Sequence, residues 1–293
     1  MINLRFHIVS LVAVFLALAI GIAVGATVVD QGLVSQSQRR IASLDRTLED
    51  RAVAIRDLKN ENAALDAFGE QSEDRMVSDR LLAKSVLFVT DGAIDDDRTA
   101  ELANTLRSAG ARVLGTLAIG PSLRISAPQE LERARVAVGA TSTRPDTVRF
   151  LVGQRIIGAI GRPFDVESLQ PLVAAGLIER RPASDGSFPE VIPVGTRVVF
   201  LRSGSASAEP AETAAWIGRL AAMAPVVVVG QSDDPLVRQV RGVAALAARV
   251  STIDDLDDRA GRVGTVYALE DLGRGRVGHY GSADGAERLI PAP

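Results

Sequence analysis

Few side-chain groupings in the chain have the types and spacing that chemistry needs. Asp95-Asp96-Asp97 and the set Asp254, Asp255, Asp257 and Asp258 offer carboxylate oxygens suited to a hard cation. Acids at such places also cap helices and complement the helix dipole, and that is the reading adopted for both runs. Ser203-Gly204-Ser205 could cradle an anion with backbone N–H groups, yet its composition is that of an ordinary turn. A Ser/His/Asp triad needs a histidine as base. The chain has two, His7 and His279, and no G-x-S-x-G elbow accompanies either. Soft metals such as copper(I) call for thiolate or thioether sulfur. The chain has no cysteine, and Met1, Met76 and Met223 show no ligand spacing. No Walker loop or dinucleotide fingerprint is present. No catalytic residue, cofactor-binding residue or metal ligand is therefore assigned, and the chain is read as a non-enzyme.

The elements that would position these groups begin at Ser85. Val86-Leu87-Phe88-Val89 is a short apolar run, followed by a helical stretch through Leu106 that Gly110 ends. Arg112 to Ile119 reads as the second strand of a βαβ unit. Helical patterns follow over 129–138, 146–160 and 166–178. The segment 179–195, with Pro182, Pro189 and Pro193, reads as a loop. Strands are expected at 197–201 and 225–229, helices at 209–223 and 259–272, and a helix with a short strand within 236–252. Apolar strands alternating with helices predict a sheet covered on both faces. The fold class is thus α/β, with a doubly wound, mainly parallel sheet forming a head over 85–293. A helical insertion is expected over 122–182.

The 293 residues carry a net charge of −3, too little to indicate a nucleic-acid partner. Hydrophobic residues make up 47%, enough for a real core. Only two of the 33 basic residues, Lys59 and Lys84, are lysines. An uncharged apolar run from Ile8 to Val29 is long enough to cross a bilayer as one helix. It exceeds the usual signal-peptide core, so 1–30 is read as a retained anchor in membrane lipid. Arg5 before it favours a cytoplasmic N-terminus, which places the rest outside the inner membrane. Within the run, Gly21-x-x-x-Gly25 gives a small face on which two helices can approach.

A heptad pattern follows over 31–69 and predicts a coiled-coil stalk. Val34, Ile41, Leu48, Ile55 and Asn62 take a positions; Leu44, Leu58 and Leu65 take d positions. β-branched a residues with Leu at d favour two parallel strands, and a lone a-position Asn fixes register. Arg51 at d is a defect in the seam. The polar stretch 70–84 is expected to be a linker. The expected assembly is a parallel homodimer seated through Gly21, Gly25, Ile41, Leu44, Leu48, Ile55, Leu58, Asn62 and Leu65.

The opening Met1-Ile2-Asn3-Leu4-Arg5-Phe6-His7-Ile8-Val9-Ser10-Leu11, running into Val14 to Ile22, resembles the start of the actinobacterial MctB family. Val250-Ser251-Thr252-Ile253-Asp254, Ala260-Gly261-Arg262-Val263 and Gly278-His279-Tyr280-Gly281 are similar to the family's closing block. The likeness covers essentially the whole chain. It implies copper transport, efflux or tolerance, and the family's name places it at an outer membrane. It also implies an alternative, a cell-envelope scaffold or regulator of envelope assembly and division working through a protein partner. No family metal or catalytic residue transfers to these positions. An outer-membrane pore needs a closed barrel of alternating strands, whereas this head predicts apolar strands alternating with helices. A stalk positions a head and sets its valence without providing an ion path, so the residues favour the scaffold mechanism for a copper-linked process.

Overall fold

The computed structural model describes residues 3–92, 96–161, 166–183, 186–202 and 209–290. Contacts divide it into one unit over Met1–Phe68 and another over Gly69–Pro293. The first unit is helical and belongs to α1 (Asn3–Val77). Arg5–Gly25 within it is long and apolar enough to cross a membrane, with a mean hydropathy of 2.8. Ile41, Leu44, Leu48, Ile55, Leu58, Asn62 and Leu65 are all exposed. A Cβ added at Gly21 or Gly25 would meet nothing within 4 Å.

The second unit is mixed α/β around a seven-stranded, mostly parallel sheet. Its strands are β1 (Ser85–Asp91), β2 (Arg112–Ala118), β3 (Glu179–Pro182), β4 (Arg197–Arg202), β5 (Val226–Val229), β6 (Val250–Ile253) and β7 (His279–Tyr280). The order is β3-β2-β1-β4-β5-β6-β7, and only β3 runs antiparallel to its neighbour. The helices are α2 (Asp96–Ser108), α3 (Gly120–Leu123), α4 (Pro128–Val138), α5 (Pro145–Gly161), α6 (Gln170–Ala174), α7 (Pro210–Leu220), α8 (Pro235–Gly242), α9 (Ala244–Ala247) and α10 (Arg259–Gly273). Four of them, α4, α5, α7 and α8, begin on proline. A proline there loses no helical hydrogen bond and has the right φ in advance.

Alternation along the strands sorts their side chains into two buried clusters. Leu87, Val89, Val198, Phe200, Val226 and Val228 pack with α5, α7 and α8 through Val152, Ile156, Ile217 and Val237. Val86, Phe88, Val199, Leu201, Val227 and Val229 pack with α2 and α10 through Leu102, Leu106, Val266 and Leu269. Successive strand residues point to opposite faces, so all-apolar strands need cover on both.

Three elements differ from the sequence expectation. The segment 179–195 is not all loop, because Glu179–Pro182 forms β3 against β2. Gly115 permits that pairing: it has φ +134, and a Cβ there would lie 2.5 Å from the Arg181 carbonyl. Second, β7 adds a two-residue edge beside β6. Third, the stretch expected as a linker, 70–84, packs into the head. Helix α1 continues through Gly69 to Val77, and Val77 and Leu81 are fully buried. Glu73 explains the docking. Its carboxylate meets Arg259 at 2.6 Å on α10 and accepts a 2.5 Å hydrogen bond from Thr105 on α2. Arg80 adds an ion pair to Glu270 at 2.8 Å and sits 3.8 Å over the Tyr267 ring.

Gly261 and Gly158 give a paired test of this packing. A Cβ at Gly261 would lie 1.8 Å from the Asp255 carbonyl, whereas one at Gly158 meets nothing within 4 Å. Gly261→Ala is expected to cost at least about 1–3 kcal/mol through overpacking. Gly158→Ala should gain up to about 1 kcal/mol from helix propensity. Thermal melts followed by circular dichroism should move in opposite directions; equal melting temperatures would refute the account.

Candidate functional site

The chain leaves β1 to form β2 on one side and returns to form β4 on the other. This reversal makes the carboxyl ends of β1 and β4 the place where such sheets form a crevice. The register sets Asp91 directly opposite Arg202, each the last residue of its strand. The third participant, Asp234, follows β5 and caps α8. All three are buried. Arg202 Nε lies 3.8 Å from Asp91 Oδ2, and its Nη1 lies 4.0 Å from Asp234 Oδ1. Thr213 on α7 donates to Asp91 Oδ2 at 3.3 Å. The Leu236 N–H donates to Asp234 Oδ1 at 2.7 Å.

Burial pushes the Asp234 carboxyl up, against the pull of the Leu236 N–H and the Arg202 charge. The crevice floor is tight. A Cβ on Gly120 would sit 2.8 Å from the Gly92 nitrogen, and one on Gly230 would sit 2.8 Å from the Asp234 side chain. Two carboxylates about one guanidinium form an electrostatic clasp that ties the ends of β1, β4 and the β5–α8 turn. No nucleophile–base pair is part of it.

A second polar cluster closes the far edge of the sheet. Arg241 on α8 pairs with Asp254 at 2.7 Å, with side chains only 6% and 1% exposed. It also donates to Thr252 Oγ1 at 2.9 Å and to the Tyr280 carbonyl at 2.9 Å. Asp254 Oδ1 accepts from the Ser282 and Ala283 N–H groups, and Ser282 Oγ donates to Asp255 at 2.7 Å. Thr252 Oγ1 accepts from Arg241, so its own proton is free to reach His279 Nδ1, 2.9 Å away. Burial and then the Arg241 charge hold the His279 imidazole below its ordinary value. Burial also raises the Asp255 carboxyl.

The structure redistributes the residues singled out from the sequence. Asp254 and Asp255 do not cap α10; they hold residues 280–283 to the sheet edge. Asp258 occupies the N-cap position of α10 without a side-chain cap bond, and Asp257 pairs with Arg98 at 3.1 Å. Asp97 is exposed on α2. Asp95 and Ser203-Gly204-Ser205 lie outside the described residues. His279 belongs to the closing cluster. Met76 and Met223 are partly exposed on separate elements. Among the described residues, no group of three or more His, Cys, Asp or Glu is placed to hold a metal ion. Asp91, Arg202, Asp234 and Arg241 were not singled out, although a charge at the end of an apolar strand is a visible signal.

Arg241→Met should cost about 3–5 kcal/mol, because Asp254 would be left as a buried charge without its partner. Denaturant unfolding measures this, and a loss under about 1 kcal/mol would contradict a buried pair. His279 sets a pH dependence. Its folded-state value is depressed, so below about pH 6.5 the unfolded chain binds more protons and stability falls with pH until the folded value is passed. His279→Gln is expected to flatten that part of the stability–pH curve; an unchanged slope would refute the assignment.

The chain belongs to the MctB family: the family model described as "Copper transport outer membrane protein, MctB" matches residues 1–291. Two curated relatives, each named "Copper transporter MctB", come from Mycobacterium bovis and Mycobacterium tuberculosis. Each is 38% identical over 124 residues, which is 41% of this chain. The match spans only 38% of the length of either relative.

Proposed function

We propose that this chain serves a copper-related process of the cell envelope as a membrane-anchored, parallel homodimer. The supporting observation is the family match over residues 1–291, whose description names copper transport. In this reading, Arg5–Gly25 crosses the inner membrane once, with the N-terminus in the cytoplasm. The residues 31–69 pair as a coiled coil, and the doubly wound α/β head works outside the cytoplasm. The mechanism proposed is that of a scaffold or regulator acting through an envelope protein partner, with copper handled by the assembly.

Two features favour that mechanism over a conduit. The seven-stranded sheet is open, with β3 and β7 as its edges, whereas a spanning barrel must be closed. Among the described residues one helix is long and apolar enough to span, which leaves no enclosed path unless several copies assemble. Exposed Ile41, Leu44, Leu48, Ile55, Leu58 and Leu65 supply an apolar stripe of heptad spacing, and Gly21 and Gly25 lie on an open helix face. A helix exposing that pattern gains most from a second copy of itself.

Asn62→Leu tests the pairing. Removing the a-position amide should change the oligomer distribution from dimer toward mixed states in sedimentation of the detergent-solubilised full chain. A monomer before and after the substitution would end the dimer reading. Copper(I) titration of the same preparation tests the mechanism. Tight one-to-one binding per chain would count against a pure scaffold, while weak or absent binding with copper-dependent partner crosslinking would support it.

A further inference from the structure

A second cleft opens at the amino edge of the sheet, at the opposite end of the strands from Asp91 and Arg202. It has a volume of about 460 Å³ and is lined in part by Lys84, Ser85, Pro193, Val194, Arg197 and Gly273. None of the residues lining it is acidic, and two are cations.

Arg197 is the centre of the argument. It is the first residue of β4 and only 8% exposed. Its Nε–H donates to the Leu269 carbonyl at 3.0 Å. Burial alone lowers its guanidinium, with no carboxylate beside it to offset the loss of water. The Leu269 carbonyl and the partial negative charge near the end of α10 answer part of one cation. They do not supply a counter-ion for Arg197, and Lys84, exposed at the mouth of the cleft, adds a second positive charge there.

The backbone is shaped to keep this arrangement open. Gly273 has no Cβ where one would lie 2.3 Å from Arg197 Nη2. Gly195 (φ +76) and Ala83 (φ 58) both take left-handed conformations beside the cleft. For a non-glycine residue such as Ala83, that conformation costs about 1–2 kcal/mol. It turns the chain immediately before Lys84.

A buried charge without an ionic partner is costly unless something meets it. We propose that this cleft binds the phosphate group of a small phosphomonoester. A guanidinium fork meets two phosphate oxygens at once, and an ammonium adds a point charge. The Ser85 hydroxyl at the wall can donate a further hydrogen bond. A dianion also matches the two cations, which a monocarboxylate does not. The cavity is larger than inorganic phosphate requires, leaving room for the esterified body against Val194 and Pro193.

The two lysines of the chain make the test specific. Amine acylation of the full chain in phosphatidylcholine nanodiscs, read by mass spectrometry, reports Lys84 with Lys59 as the internal control. Glycerol 3-phosphate at about 10 mM, well above a millimolar dissociation constant, should slow labelling of Lys84 at least about fivefold and leave Lys59 unchanged. Glycerol should have no effect. Arg197→Gln should abolish the protection, and Arg197→Lys should retain part of it; circular dichroism melts check that both variants fold. Lys84→Glu supplies a surface variant that keeps Arg197 and should abolish binding of glycerol 3-phosphate in calorimetry. Equal labelling of Lys84 with and without glycerol 3-phosphate would overturn the proposal. So would protection that persists in a folded Arg197→Gln protein, or protection by inorganic phosphate but not by the ester.

Discussion

The head rests on one constraint: its central strands carry no polar face. Every residue of β5 is a fully buried valine, and β4 is buried along its whole length. A strand of that kind is unstable with either face in water. It requires two covering layers, and the two core clusters are the result. The cover in turn decides where polar groups can go. They are displaced from the strand interiors to the strand ends, where Asp91, Arg202, Arg197 and Asp254 all lie. Charge at both edges is therefore a consequence of apolar strands, and the positions open to binding follow from it.

Each edge resolves its charges differently. At the carboxyl ends of β1 and β4, Asp91, Arg202 and Asp234 answer one another across adjacent strands. At β6, Arg241 and Asp254 form a tighter pair that also secures β7, an edge of only two residues. Two residues of ladder would not hold a strand in place by themselves. The side-chain bonds from Asp254 and Arg241 to residues 280–284 supply what the ladder lacks. At the amino edge, Arg197 has only a carbonyl and a helix end to answer it. The same folding rule thus leaves two clusters in which acids meet a guanidinium and one cleft lined by two cations and no acid.

Periodicity and turn chemistry made the main elements legible. The apolar runs at 86–89 and 226–229 and the helices begun by Pro128, Pro145, Pro210 and Pro235 follow from local pattern. What local pattern could not give was partnership at a distance. Glu179-Arg180-Arg181-Pro182 has no apolar alternation and reads as loop; it becomes β3 because Gly115 lets another backbone come close. Residues 70–84 read as a polar linker because charged and polar side chains dominate them up to Arg80. Val77, Leu81 and the Glu73 bridge to α2 and α10, over 30 to 180 residues away in sequence, make them part of the head. The ionic partners at the strand ends are not legible either, since pairing Asp91 with Arg202 requires knowing that β1 lies beside β4. The acids at 254–258 misled for the same reason: their nearest helix is α10, but the groups that need Asp254 arrive from α8 and from residues 282 and 283.

The family description and the geometry constrain each other. "Copper transport outer membrane protein" names a process and a place, and a protein that conducts ions through an outer membrane must enclose a path. The sheet described here has two edges and is packed by helices on alternate residues of each central strand. Closing it into a barrel would require stripping those helices and exposing valines and isoleucines on the lumen side, where water would penalise them at about 25 cal/mol per Å². With 55 or more apolar side chains committed to burial around that sheet, the rearrangement would cost far more than a domain's entire stability margin of about 5–15 kcal/mol. The head therefore offers its chemistry at the ends of its strands, where Asp91, Arg202, Arg197 and Asp254 lie, and not through a lumen.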